Sequence, residues 1–255
     1  MKLTDTMIGQ GNFIFRWRSY LPLAIVPVAA LIFADGFSIA AKFSDATRSR
    51  WDIFCMLLSC AGFALRIATV GYVPSLTSGR NTREHHADVL NTTGMYSLVR
   101  HPLYVANFLV FLGFCLVLKN AAFVVFAIVA YILYYERIIL AEEQFLESAF
   151  GEKFREWASR TPTVIPSLRL WQAPALSFSW RTAILREYHG VLLIGAVFFV
   201  LRMIEGVAIQ GRAAREVLAA STLQLWIFAA SAAFYAVAYV IRKHTSWLSA
   251  FGRGP

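Results

Sequence analysis

Six long apolar runs, parted by polar and basic stretches, decide what this 255-residue chain can become. They lie at about 21–40, 53–73, 102–118, 121–140, 188–204 and 222–241. A helix needs roughly 17–25 apolar residues to cross a hydrocarbon core, and most of these runs come near that length; the fifth is the shortest. The expected fold is all-α, a polytopic membrane protein with about six transmembrane helices. Only 15% of the residues are charged, against about a quarter in soluble domains. That balance excludes a disordered chain and an ordinary cytosolic enzyme.

The net charge of +9 reads as membrane topology and attraction to anionic headgroups. No basic segment is interleaved with aromatics as a base-stacking surface requires, so no nucleic-acid partner is expected. Cys55, Cys60 and Cys115 all fall inside apolar runs and form no CxxC pair, so they read as small hydrophobes. The first twenty residues lack a signal-peptide core and cleavage site, and the first run is expected to stay as an anchor. Counting Lys and Arg in alternate loops gives sixteen on the N-terminal side and seven opposite. The excess places both termini in the cytoplasm, together with segments 74–101 and 141–187.

The block 141–187 opens with Leu146, Phe150, Phe154 and Trp157 at helical spacing, which predicts a cytosolic amphipathic helix. Pro162, Pro166 and Pro174 then break regular structure, and 168–187 reads as a surface linker.

Chemistry concentrates in 91–166. Lys119 and Asn120 are a two-residue polar break between apolar helices, so these helices form a tight antiparallel hairpin. His101 lies 18 residues before Lys119, and the mirror position on the second helix is Ile138. Glu142 and Glu143 follow about one turn later, an overshoot of roughly 6 Å. His101 and Glu142 are therefore expected at one cytoplasmic end of the hairpin. Pro102 suits the first turn of a helix, whose free N–H groups and dipole favour an anion. Arg100 adds a fork matched to carboxylate or phosphate. Glu142 and Glu143 sit at a helix end whose dipole opposes them, which is best explained by a cationic partner. One pole for an anion and one for a cation suit a zwitterion carrying an extra positive centre, such as S-adenosylmethionine.

The run Arg100-His101-Pro102-Leu103-Tyr104, preceded by Thr92-Thr93-Gly94-Met95-Tyr96, resembles a TxGxYxxxRHPxY signature. That signature belongs to integral membrane methyltransferases of the isoprenylcysteine carboxyl methyltransferase and phospholipid methyltransferase group. The resemblance continues through Glu142-Glu143, Leu146, Phe150-Gly151, Phe154, Trp157 and Pro162 to Pro166, and covers roughly 76–166. It implies S-adenosylmethionine held by Arg100, His101, Tyr104, Glu142 and Glu143 at the cytosolic hairpin ends. The segment carrying Arg155 and Arg160 would help close the pocket, and a lipid substrate would enter between helices. Two features depart from the pattern: Ala106 stands where many members have glycine, followed by Asn107, and 168–255 extends beyond the family's usual end.

Three segments result: 1–75 with the first two membrane helices, 76–167 as the methyltransferase core, and 168–255 as an extension with two more helices. The extension is open to three roles: shaping the acceptor pocket, oligomerisation or anchoring. The reaction expected is in-line transfer of a methyl group to a phospholipid amine, a lipid phosphate or a prenylcysteine carboxylate. Arg100, Glu142 and Glu143 are the catalytic candidates, with either glutamate as base for an amine. Arg66, inside the second run, is a charge near mid-membrane and hence a functional candidate or a snorkelling side chain. His85 and His86, with Glu84 and Asp88, lack a cysteine or an i,i+4 pair and read as a solvated loop, so no metal is expected. The basic turn 78–83 could hold a phosphate headgroup. The rival from another class is a non-catalytic membrane subunit or carrier that keeps the fold.

Overall fold

The computed structural model describes residues 3–34, 44–74 and 87–248. The basic turn 78–83 and Glu84, His85 and His86 lie outside the described residues. Those described form helices and their connections, with no strand among them. In chain order they are α1 (Leu3–Trp17), α2 (Ile25–Ala34), α3 (Asp45–Tyr72), α4 (Met95–Leu98) and α5 (Pro102–Val117). Then come α6 (Ala121–Phe150), α7 (Glu152–Arg160), α8 (Trp180–Ile204), α9 (Ala214–Ala220) and α10 (Thr222–His244).

The all-α membrane architecture is as expected, while the count of six spans is not confirmed. Among the described residues, four helices, α3, α6, α8 and α10, are long and apolar enough to cross a bilayer, or five if the bent pair α1–α2 is taken as one span. α5 has 16 residues, about 24 Å against a core of about 30 Å. The first run opens not as a long helix but as a 3₁₀ turn over Leu21–Ala24 before α2. α1 was not foreseen: it meets the following segment at 89° and packs along α6, where Gly11 lies against the Arg137 carbonyl.

The expected amphipathic helix is also divided differently. Residues 141–150 continue α6 without a break, Gly151 turns the chain at φ +55°, and α7 carries Phe154 and Trp157 inward. The fifth run is longer than its apolar stretch. α8 starts at Trp180 because Arg181, Arg186 and Glu187, which make 180–187 look like linker, lie within the helix.

α3 and α5 form the tightest pair. Ser59 Oγ donates to the Val110 carbonyl at 3.0 Å and Trp51 Nε1 to the Leu116 carbonyl at 2.8 Å. A side chain at Gly113 would meet Ser59 Oγ at 2.1 Å, so only glycine permits this approach. α8 packs against both α3 and α10, and Arg242 of α10 donates to Tyr188 Oη at 2.7 Å.

The α5–α6 turn is the tight hairpin expected, closed by Asn120, whose side chain caps α6 by accepting from Phe123 N at 2.9 Å. Lys119 adopts φ +53°, a left-handed conformation costing roughly 1–2 kcal/mol for an L-residue. Its side chain, 2% exposed, offsets that cost. The ammonium donates to Asp52 Oδ1 at 2.9 Å, the Val117 carbonyl at 3.1 Å and Glu205 Oε2 at 3.2 Å. Arg202 lies 3.8 Å from both acids. Lys119 and Arg202, counted among the seven side chains opposite the termini, are therefore buried in ion pairs. Replacing Lys119 by Met leaves two carboxylates buried with a weaker partner and should cost on the order of 3–5 kcal/mol. Unfolding in detergent measures this, with Arg155→Met, in an exposed pair with Glu152, as the variant expected to change little. Equal effects would contradict the assignment.

Candidate functional site

The far end of the hairpin brings together the five side chains singled out from the sequence. α5 begins at Pro102, so His101 stands just before its first turn; α6 runs one turn past the mirror position and presents Glu142 and Glu143 beside it. His101 Nε2 is 3.0 Å from Glu143 Oε1, and Nδ1 is 3.6 Å from Glu142 Oε2. Tyr104 donates to Glu142 Oε2 at 2.7 Å, and its ring stacks on His101 at 5.5 Å with 10° between the planes. Arg100 Nε lies 3.1 Å from Glu143 Oε1 as an ion pair, without the alignment of a hydrogen bond.

Arg100 is also anchored on the segment after α7. Its backbone N–H donates to the Pro162 carbonyl at 2.8 Å, Nη1 to the Ala158 carbonyl at 3.1 Å, and Nη2 to Thr163 Oγ1. The stretch 158–163 thus closes on the site through backbone and hydroxyl groups. Arg155 instead pairs with Glu152 and Glu147 on the exposed side, and Arg160 donates to the Glu156 carbonyl.

The approach to α5 depends on Gly94. At φ +61° it turns the chain into α4, and a side chain there would be strained besides meeting Pro174 at 3.3 Å. The first turn of α5 offers fewer donors than its sequence implies. The N–H groups of Tyr104 and Val105 both bond to the His101 carbonyl, at 3.1 and 3.3 Å. The anion-attracting pole therefore rests on Arg100.

Burial alone would lower the His101 pKa. Its contacts with Glu142 and Glu143 outweigh burial and hold it above the ordinary histidine value. Burial first, then the Glu142 charge, pushes the Tyr96 phenol well above its usual range. A basic group raised in the folded state stabilises fully below its unfolded pKa, and that contribution is lost as pH rises through the folded value. The stability gap between wild type and His101→Gln should thus be widest near pH 6 and shrink on the alkaline side. Melting curves from pH 6 to 9 measure it; a gap that grows with pH would contradict the ion-paired histidine.

Beneath this cluster lie residues that the sequence did not join to it. Arg66 does not snorkel: Nε and Nη2 donate to the two oxygens of Glu187 at 2.9 and 2.8 Å, and Nη1 donates to Asn107 Oδ1. Asn107 Nδ2 donates to Tyr135 Oη at 3.4 Å, and the Tyr135 ring lies 4.7 Å from that of Tyr104. Tyr131 Oη donates to the Tyr104 carbonyl at 2.7 Å. One signal was present: Tyr131, Tyr135 and Glu142 recur at i, i+4 and i+11 on one face of α6. Glu187 had none, standing 121 residues from its partner.

The assembled groups are a guanidinium and a histidine, its pKa raised by the acids, against two carboxylates, with a flat aromatic surface alongside. Their chemistry fits a ligand that carries both a carboxylate and positive centres.

Residues 53–153 match the sequence model of the phospholipid methyltransferase family. The chain is 39% identical over 129 residues to a cobalt-zinc-cadmium resistance protein, CzcN, of Cupriavidus metallidurans, covering 49% of this chain and 57% of that one. It is 35% identical over 130 residues to the nickel-cobalt-cadmium resistance protein NccN of Alcaligenes xylosoxydans xylosoxydans, covering 49% and 58%. Over 92 residues it is 32% identical to the protein-S-isoprenylcysteine O-methyltransferase of Schizosaccharomyces pombe, covering 36% and 37%. The chain spans a little over half the length of the two resistance proteins. No solved structure matches it.

Proposed function

On this core of the isoprenylcysteine and phospholipid methyltransferase group, we propose that the chain is an integral membrane methyltransferase. It moves a methyl group from S-adenosylmethionine to a membrane lipid or lipidated acceptor, with both termini on the cytoplasmic side. The observation that carries this is the meeting of Arg100 and His101 with Glu142 and Glu143 at one end of the hairpin.

When bound, the donor supplies an activated methyl group on a sulfonium that is already a good leaving group. Arg100 is the partner for its carboxylate. The guanidinium is oriented for this by Ala158, Thr163 and the ion pair with Glu143. The two glutamates receive the positive centres. Glu143 is shared between His101 and Arg100, whereas Glu142 is the more exposed, 31% against 22%, and meets a phenol and His101 at 3.6 Å. Glu142 is accordingly the carboxylate better placed to take a proton from an amine acceptor. A carboxylate or phosphate acceptor needs no base, and alignment then dominates the rate. Tyr104, flat against His101, gives the site an aromatic face and holds Glu142 in place.

Exposed apolar side chains along α6, among them Val125, Val129, Ile132 and Leu133, leave this helix open to lipid tails. That supports an acceptor delivered from the bilayer rather than from water.

Calorimetric titration of the detergent-solubilised protein with S-adenosylhomocysteine tests the assignment. The wild type should bind, and Glu142→Gln and His101→Ala should each weaken binding by at least about tenfold, on the order of 1.4 kcal/mol, while still inserting and folding. Unchanged affinity in both variants would refute the site.

A further inference from the structure

The matched core ends at residue 153, yet a side chain from α8 reaches into its centre. Glu187 is 7% exposed and Arg66 25%. Their bidentate pair is the kind that fixes direction as well as distance, because a planar fork meets a planar carboxylate in one orientation. The third edge of the same guanidinium engages Asn107 Oδ1, which leaves the Asn107 amide donor for Tyr135. Tyr135 and Tyr131 pack ring to ring at 4.3 Å, and between them they hold Tyr104 by its ring and its carbonyl. Tyr104 in turn donates to Glu142. An unbroken series of contacts thus runs from α8 through α3, α5 and α6 to the carboxylate of the candidate site.

We propose that Glu187 is a positioning residue: through Arg66 and Asn107 it sets the tyrosine pair that orients Tyr104 and Glu142, so the C-terminal extension is a working part of the methyl-donor site. The proposal rests on the methyltransferase assignment above. It also accounts for Asn107, which follows the position where the family pattern departs. An asparagine there accepts from Arg66 with one end and donates to Tyr135 with the other, which an apolar residue could not do.

A purely structural role for the pair has a different signature. A buried ion pair contributes little net stability, and two apolar residues of similar size commonly replace it at no cost, whereas removing one partner alone is expensive. The double variant Arg66→Met/Glu187→Met should therefore unfold near the wild-type midpoint. With the direction of Asn107 lost, its affinity for S-adenosylhomocysteine should fall on the order of tenfold, about 1.4 kcal/mol. Glu187→Ala alone should lose both stability and affinity. Wild-type affinity in the stable double variant would overturn the proposal. Should that variant fail to insert, Asn107→Leu keeps the ion pair and breaks the series in the middle; it should show the same loss, and wild-type binding there would equally overturn it. His101→Ala and Glu142→Gln run in parallel separate the two ideas. If they too bind like wild type, the site itself is wrong; if they alone lose affinity, only the role of Glu187 falls.

Discussion

A charge taken out of water must be answered by another charge, and in a membrane protein the answer has to come from a neighbouring helix. This chain meets the demand at both ends of α8. Glu187 meets Arg66, which also engages Asn107, and Glu205 meets Lys119 alongside Asp52 and Arg202. The two acids stand 18 residues apart, about 27 Å along a helix, close to the thickness of a hydrocarbon core. α8 is therefore pinned in height and rotation against α3 and the α5–α6 hairpin. The second of these contacts holds Lys119, in the α5–α6 turn from which Arg100 and His101 count level with Glu142 and Glu143.

The candidate site inherits its electrostatics from this frame. Its two acids are held by Arg100, His101 and Tyr104 rather than left to solvent, and the ring stack of His101 on Tyr104 limits their freedom to rotate. A group held in one orientation before its ligand arrives loses less entropy on binding. The same economy governs the α5–α6 turn, where the left-handed backbone of Lys119 is tolerated because its ammonium bonds to three buried residues, Asp52, Val117 and Glu205.

What could be read from the sequence follows the range of the interactions. The long apolar helices α3, α6, α8 and α10 were legible because their signal is local and continuous. The meeting of His101 with Glu142 was legible because a hairpin of known turn reduces to counting residues. α1 was not, since Gly9 and Gly11 weaken its helical signal and its anchorage is the packing of Gly11 on α6. The start of α8 was hidden by Arg181, Arg186 and Glu187, whose polarity imitates a linker; of the three, Glu187 is buried, paired with Arg66. Arg66 was noticed as a misplaced charge, but its partner lies far along the chain, and no pattern of spacing connects the two. Lys119 and Arg202 were counted as loop charges because sequence alone cannot distinguish a charge facing water from one enclosed by acids.

The decisive measurement is incubation of the purified protein with a total membrane lipid extract and S-adenosylmethionine labelled on its methyl group, followed by chromatography of the extract. Label should appear in a lipid or lipidated product with the wild type and be strongly reduced with Glu142→Gln. No transfer by a folded, inserted wild type, or equal transfer by both proteins, would contradict a hairpin whose joined ends grip the methyl donor.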